Sequence, residues 1–406
     1  MTSVEAVPVT DAKLPTLDLT VPEFWQDIHT PIAAAMEESA LAGTTDGGTY
    51  VLRHAAVDAV LKNPRFVAAD LLGMMGMTSG AVWEWWQKVM FSRNPPEHTR
   101  LRRLVSKAFT VGSIERLRPW TRSMVEGLLA PAFETGHFDA MMGLGHEVPS
   151  RVMARLLGIP DGDREMFSGW TTDIGLAFGA AFDPAVRLQV EAALSNLNDY
   201  VLGLLERRRA EPGEDLLSQL LAVEEGGDRL SYDELVALVE NLLFAGHDTT
   251  RSAIAILVML FAEHPDRLEL VRADRSLVPS AVEEVLRYEA VSFTTSRQAA
   301  EDVEVAGYLI PAGMPVALCL PAASRDPRRY DNPDVFNVRR QNVQPPVFGA
   351  GIHYCIGAPL ARMEMQETLA VLLDRCSALH VEGRPEWTPF AHVRRMETLP
   401  ASLELL

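Results

Sequence analysis

Cysteine is scarce: Cys319, Cys355 and Cys376 are the 3 cysteines in 406 residues. An odd count with no paired spacing argues against a disulfide framework and fits a reducing cytoplasm. No CxxC or CxxCH occurs, which removes support for structural zinc and for c-type haem attachment. Long apolar runs are missing too. None reaches the roughly 18 residues of a membrane span, and the longest, around "AIAILVML", sits inside a helical pattern. The first residues have neither a basic start nor an apolar stretch. Residues 1–20 are therefore expected as a loose leader and not as a secretory signal. Positive charge is in deficit, with a formal net charge of −18. That disfavours nucleic acid or an anionic membrane as the main partner. There is no heptad array, low-complexity tract or internal repeat. No G-x-G-x-x-G follows a strand, so no flavin- or nicotinamide-binding domain is fused here.

What is present reads as a globular chain, 48% hydrophobic and 23% charged. Its length alone would allow two or three domains, yet no linker splits it, and one domain over 1–406 is expected. Much of 95–285 shows apolar residues at three and four spacings and predicts helix. The clearest helix starts at "SYDEL", where Ser231 and Glu234 form a capping box and Asp233 adds first-turn negative charge. It runs until Pro265 stops it, about 32 residues or roughly 48 Å. After about 290 the texture changes to short strands and turns, as in "DVEVAGYLIPAGMPVALCL". The fold class is mainly α with a smaller β-rich region, an α+β segregation.

Cys319 and Cys376 sit in apolar patterns and read as buried packing residues. Cys355 differs. It lies in "FGAGIHYCIGAPLAR", among Gly349, Gly351 and Gly357, just before a strong helical pattern. Glycines allow tight turns and close approach to a flat ligand. A helix N-terminus stabilises a thiolate, which is then a nucleophile or a metal ligand. With no second cysteine nearby, zinc and iron–sulfur sites lose support, whereas axial ligation of haem iron needs only one cysteine. A nucleophile paired with His353 has no orienting third group.

Three further patterns stand out. Gly246 weakens the interior of the long helix, and Thr249 can bond back to a carbonyl one turn earlier. Asp248 is an acid in an otherwise apolar helix and costly to bury without a role. Glu284 and Arg287 in "AVEEVLRY" share a helix face. His98 and Arg102 in "PPEHTRLRR" lie one turn apart on one face.

The stretch "FGAGIHYCIG" resembles the haem-binding loop of cytochromes P450, F-G-x-G-x-H-x-C-x-G, at Phe348, Gly349, Gly351, His353, Cys355 and Gly357. Ala245-Gly246-His247-Asp248-Thr249 is similar to that family's oxygen-activation motif. "NPDVF" and "IPAG" add weaker matches. Two departures are visible, Asn94 before "PPEH" and Pro345 three residues before the loop Phe.

The resemblance implies the P450 fold and haem b (iron protoporphyrin IX), with Cys355 as iron ligand and Phe348 shielding its sulfur. His98, Arg102, Arg297 and His353 would hold the haem propionates. Glu284, Arg287 and Arg339 would form a triad bracing the cysteine loop. Thr249 would hydrogen-bond the bound dioxygen, and Asp248 would help deliver protons to it. The substrate would be lined by segments near 70–92 and 165–190, including Trp83, and by Asn241, Phe244, Ala245, Phe293 and Thr294. Few of these positions are charged, so a terpenoid, steroid or other lipid is favoured, with polyketides and aromatics open. The implied reaction inserts one atom of O2 into this substrate in a bacterial, monomeric, cytoplasmic enzyme. A separate ferredoxin, served by an NAD(P)H-dependent reductase, would bring electrons; Arg100, Arg103 and Lys107 form either a basic patch that steers it or an ordinary solvated charged face. The rival is a haem-thiolate sensor that binds ligand without turnover, against which the Asp248–Thr249 pair argues.

Overall fold

Ser231 opens the longest helix as its sequence predicts. Its hydroxyl accepts from the Glu234 amide at 3.2 Å, and the Glu234 carboxylate accepts from the Ser231 amide at 2.8 Å. The helix spans Tyr232–Glu263, 32 residues, and ends just before Pro265. Its second half, Ala253 to Phe261, is buried at every position, which accounts for apolar residues on several faces. The computed structural model describes residues 6–74, 76–178, 184–225, 228–388 and 392–406.

The chain divides into two compact units. The first comprises Met1–Leu71, Glu283–Cys355 and Glu386–Arg395. It holds the strand-rich texture read after 290. A six-stranded sheet runs in the order Thr16–Leu17, Leu41–Thr44, Thr49–Val51, Pro315–Cys319, Thr294–Ala299 and Phe66–Ala68. Pro315–Cys319 pairs antiparallel with Thr294–Ala299 in a register that sets Val316 opposite Arg297. Leu41, Val51, Leu318 and Ile310 are fully buried in the cluster beneath.

The leader expected over 1–20 is not loose where it is described. Val7–Pro8 pairs in parallel with Tyr308–Leu309, and Thr16–Leu17 with Gly43–Thr44. Backbone pairing two residues long leaves no periodic signal in a sequence.

The second unit comprises Leu72–Val282, Ile356–Pro385 and Met396–Leu406. It is mainly helical, and the long helix packs on the helices Glu147–Leu157, Arg164–Gly175, Pro184–Ala210 and Ala358–Arg375 and on a π-helical segment, Ala140–His146. A small sheet of Cys376–Val381, Pro400–Leu405 and His137–Asp139 completes it. Among the described residues no helix is long and apolar enough to cross a membrane.

Candidate active site

The cysteine loop belongs to the first unit and is built by its own backbone. Cys355 N–H donates to Phe348 O at 2.9 Å, Gly349 N–H to Pro346 O at 2.8 Å and Tyr354 N–H to Gly351 O at 3.2 Å. Glycine is demanded at two points. Gly349 has φ +68°, and Gly351 has φ +67° with its missing Cβ position 2.5 Å from the carbonyl oxygen of Leu61. The loop therefore presses against the end of helix His54–Lys62 where no side chain fits. Phe348 is buried, His353 half-buried, and Cys355 exposed. The other cysteines are buried, and burial pushes their thiols up, to about 12 for Cys319 and about 11 for Cys376. Cys355 is the exposed one of the three.

Glu284 and Arg287 form a fully buried, two-pronged ion pair, with Nε–Oε2 at 2.7 Å and Nη2–Oε1 at 2.8 Å. Arg287 also donates to Ser324 O and Pro333 O, both at 2.9 Å. The third member is Arg340, not Arg339. Arg340 Nε lies 3.1 Å from Glu284 Oε2, while Arg339 is exposed. The Asn337 amide donates to Glu284 at 2.8 Å, and this fixes which of two adjacent arginines turns inward.

Arg297 is 7% exposed and donates to Ser296 O at 2.8 Å and to Thr295 Oγ1 at 3.4 Å. No carboxylate among the described residues pairs with it, and burial pushes its guanidinium down to about 10. A buried cation with neutral partners calls for an anion. A haem propionate is such an anion, so the residue fits the expected cofactor.

Phe293 does not behave as a pocket residue. It is fully buried, and its ring packs 5.0 Å from Trp25, 5.9 Å from Phe24 and 6.1 Å from Tyr50. It is the centre of an aromatic core cluster. Thr294, the next residue, is also buried.

The second unit carries the other motif. The long helix is continuous through it, and Thr249 Oγ1 donates back to Ala245 O at 3.1 Å, as the sequence predicts. Gly246 admits Met153, whose Sδ lies 3.1 Å from the missing Cβ position. Asp248 is half-buried, with Oδ1 3.4 Å from His247 Nδ1 and Oδ2 3.3 Å from the missing Cβ position of Gly175. Asn241 is buried, Phe244 half-buried and Ala245 exposed. The Phe244 ring meets Trp85 edge-on at 5.7 Å, and Trp83 is half-buried nearby in sequence on the same helix, Ala81–Lys88. The expected lining at 75 and 179–183 lies outside the described residues.

His98 is buried and Arg102 half-buried on helix Glu97–Ala108. On that helix Arg100 is committed to Asp228 at 2.8 Å and Glu234 at 2.6 Å, and Arg103 stands 3.7 Å from Asp228. These acids offset the basic cluster expected to steer a redox partner. Gly357 is the N-cap residue of helix Ala358–Arg375. Trp85, Arg340 and His146, whose ring lies 5.2 Å from that of His247, carry no motif and were reached only through the fold.

A family model described as Cytochrome P450 matches residues 182–403. The chain is 40% identical over 318 residues to cytochrome P450 monooxygenase PikC of Streptomyces venezuelae, covering 77% of this chain and 75% of that one. It is 39% identical over 359 residues to vitamin D(3) 25-hydroxylase of Pseudonocardia autotrophica, covering 86% of each. The crystal structure of CalO2 superposes with a TM-score of 0.90 at 31% identity, covering 96% of this chain and 99% of that chain.

Proposed function

The chain belongs to the cytochrome P450 family, as a monooxygenase with haem b as cofactor, and from that premise we propose that it oxidises an apolar small molecule with electrons from a separate ferredoxin. The observation that carries the reading is the cysteine loop, whose exposed thiol sits in a glycine-built turn pressed on the end of helix His54–Lys62. Haem b, when bound, supplies the one-electron chemistry that activates dioxygen.

This chain's residues do the rest. Cys355 gives its thiolate to the iron, a strongly donating ligand. In the first unit Arg297 and His353, and in the second His98 and Arg102, are the residues that would hold propionates by charge and hydrogen bonds. Asp248 would hold a proton at a carboxylate oxygen, and Thr249 would relay it at its hydroxyl. Asn241, Phe244 and Ala245 of the long helix line the substrate within the second unit, with Trp83 and Trp85 of helix Ala81–Lys88; Thr294 is the candidate lining residue of the first unit. Phe293 is withdrawn from that set by its core position.

The favoured substrate is a terpenoid, steroid or other lipid. Apolar lining supports this, as does a relative named for vitamin D(3). The family's use of a redox partner supports the ferredoxin and its NAD(P)H-dependent reductase, and three cysteines with no paired spacing support a cytoplasmic site of action. The enzyme acts as a monomer and as one catalytic domain. Reduction by dithionite but by no ferredoxin would refute the electron route, and a dimer by light scattering would refute the monomer.

The primary test is the carbon monoxide difference spectrum of the dithionite-reduced protein. A strongly red-shifted Soret band, lost in Cys355→Ser, is expected. A band of the histidine-ligated type, or no haem at all, overturns the assignment. Spin-state shifts across a panel of steroids, terpenoids, fatty acids and polyketides then identify the substrate class.

A further inference from the structure

The long helix carries a second titratable group beside its acid, and it is buried. His247 is 1% exposed, and neither ring nitrogen has a hydrogen-bond partner among the described residues. Its nearest acid is Asp248, with Nδ1 3.4 Å from Oδ1. A buried polar group without a hydrogen bond costs about 1–3 kcal/mol. Such a group at the oxygen-activation motif calls for an account.

The π-helical segment Ala140–His146 supplies it. Gly145 lets that segment press backbone to backbone on the long helix, its missing Cβ position lying 2.6 Å from Arg251 O. The close approach sets the ring of His146 5.2 Å from that of His247, edge to face at 82°. His146 Nδ1 is also buried and without a hydrogen-bond partner among the described residues. Its other nitrogen, Nε2, stands 3.6 Å from Glu165 Oε2, and that carboxylate is 67% exposed. A surface acid, two imidazoles and the motif's acid therefore follow one another within the second unit.

We propose that Glu165, His146 and His247 form a proton line from solvent to Asp248. This deepens the monooxygenase reading and rests on it. An imidazole takes a proton at one nitrogen and releases one from the other, with no net change. His146 takes a proton at Nε2 from the side of Glu165 and releases one from Nδ1. His247 takes it at Nε2, directly or through one bridging water, and releases one from Nδ1 to Asp248. Only protons move along the line, and the electrons come from the redox partner.

The surrounding charges suit transfer more than storage. Glu147, the next residue after His146, is occupied by Arg151 at 2.8 Å and Arg164 at 2.9 Å. Arg251 faces the pair from the long helix. Burial, then His247 and Arg251, hold His146 below the ordinary imidazole range, while Glu165 and Glu147 pull it up. Burial and the nearby Arg251 disfavour a charge resting on His146, so a proton that arrives there leaves readily.

The test uses the haem-loaded enzyme and His146→Phe, His247→Phe and Glu165→Gln. Phe keeps an aromatic ring in each packed position. With NADH and redox partners, product formed per NADH should fall about tenfold in either Phe variant and about twofold in Glu165→Gln. Turnover driven by hydrogen peroxide, which brings its own protons with the oxygen, should stay within about twofold of wild type. The histidine proton resonances of the carbon monoxide complex provide a readout apart from activity. Glu165→Gln should lower the His146 midpoint, because the facing carboxylate is gone.

Full coupling in both Phe variants overturns the proposal. So does an equal loss in the peroxide reaction, which marks a packing role, and so does a His146 midpoint that Glu165→Gln leaves in place. If the Phe variants do not fold, the exposed Glu165 variant still decides by its midpoint and its coupling. Failure of the monooxygenase reading would look different: the wild type itself would lack the red-shifted band or would form no product.

Discussion

The Glu284–Arg287 network of the first unit and the middle of the long helix in the second treat buried charge in opposite ways. Within that network every charge is answered. Arg287 meets Glu284 and the carbonyls of Ser324 and Pro333, and Glu284 also takes Asn337 N–H and Arg340. In the long helix His247 has no hydrogen-bond partner among the described residues, and Glu240 is buried against one amide, Asn198, at 2.9 Å. A fully satisfied network is rigid and suits a part that must hold a ligand at fixed geometry. Under-satisfied acids and imidazoles keep proton affinities that shift easily, which suits a part that must move protons. Breaking the first arrangement strands a buried charge, whereas the second already carries an unmet hydrogen-bonding cost.

The comparison breaks most visibly at Arg287. Arg287→Ala leaves the Glu284 carboxylate buried without its two-pronged partner, a loss of about 3–5 kcal/mol. Thermal unfolding should show it, together with loss of bound haem. Arg340→Ala should cost about 1–3 kcal/mol, and Arg339→Ala less than about 0.5. Equal losses at 339 and 340 would return the triad to the arginine the family pattern suggests. Gly351→Ala comes next. It forces a residue at φ +67° and sets a methyl 2.5 Å from Leu61 O. The two effects together should cost about 2–4 kcal/mol and loosen the cysteine loop. An unchanged melting point would mean that the loop is not pressed on that helix.

How much of this was legible depends on whether a residue's role is set by its neighbours in sequence. The long helix was read from end to end because its cap, its periodicity and its stopping proline are all local. The loop glycines and Cys355 form a dense local pattern, so they too could be named. Arg340 could not be separated from Arg339, because a one-residue choice inside a turn is made by the Asn337 amide that docks on Glu284. Phe293 read as lining because it precedes a pocket-like stretch. Its direction is decided by Phe24 and Trp25, some 270 residues earlier in the chain. His146 carries no motif and gains its meaning only from the close crossing at Gly145.

Glu240 tests the other side of the comparison by pH. Burial pushes its carboxyl from the ordinary 4.5 to about 7, against the opposing pull of the Asn198 hydrogen bond and Lys88. A raised folded value means that the native state holds the proton between about 4.5 and 7 while the unfolded chain releases it. Stability from this group is complete below that window and falls as pH rises through it. Glu240→Gln keeps an oxygen for Asn198 and removes the titration. It should be more stable than wild type at pH 8 by up to about 3 kcal/mol and nearly equal at pH 4. Chemical denaturation at the two pH values measures this. Parallel losses in both proteins would show that Glu240 is not the group that titrates.

The smallest stability effect should accompany a large functional one. In this structure Thr249 Oγ1 donates to Ala245 O within its own helix, so Thr249→Ala removes a local back-bond that adds little to a helix. The melting point should move by an amount corresponding to less than about 0.5 kcal/mol. The carbon monoxide band should be unchanged, because Cys355 and its braces lie in the other unit. Product per NADH should nevertheless fall steeply, with the missing electrons recovered as peroxide or water. Changes at Arg287 or Gly351 should instead lose stability and haem together. If Thr249→Ala melts as early as Gly351→Ala, the middle of the long helix is as tightly built as the loop. If it keeps full coupling, the proton path runs elsewhere, and the unpaired nitrogens of His247 would need another reason to be buried there.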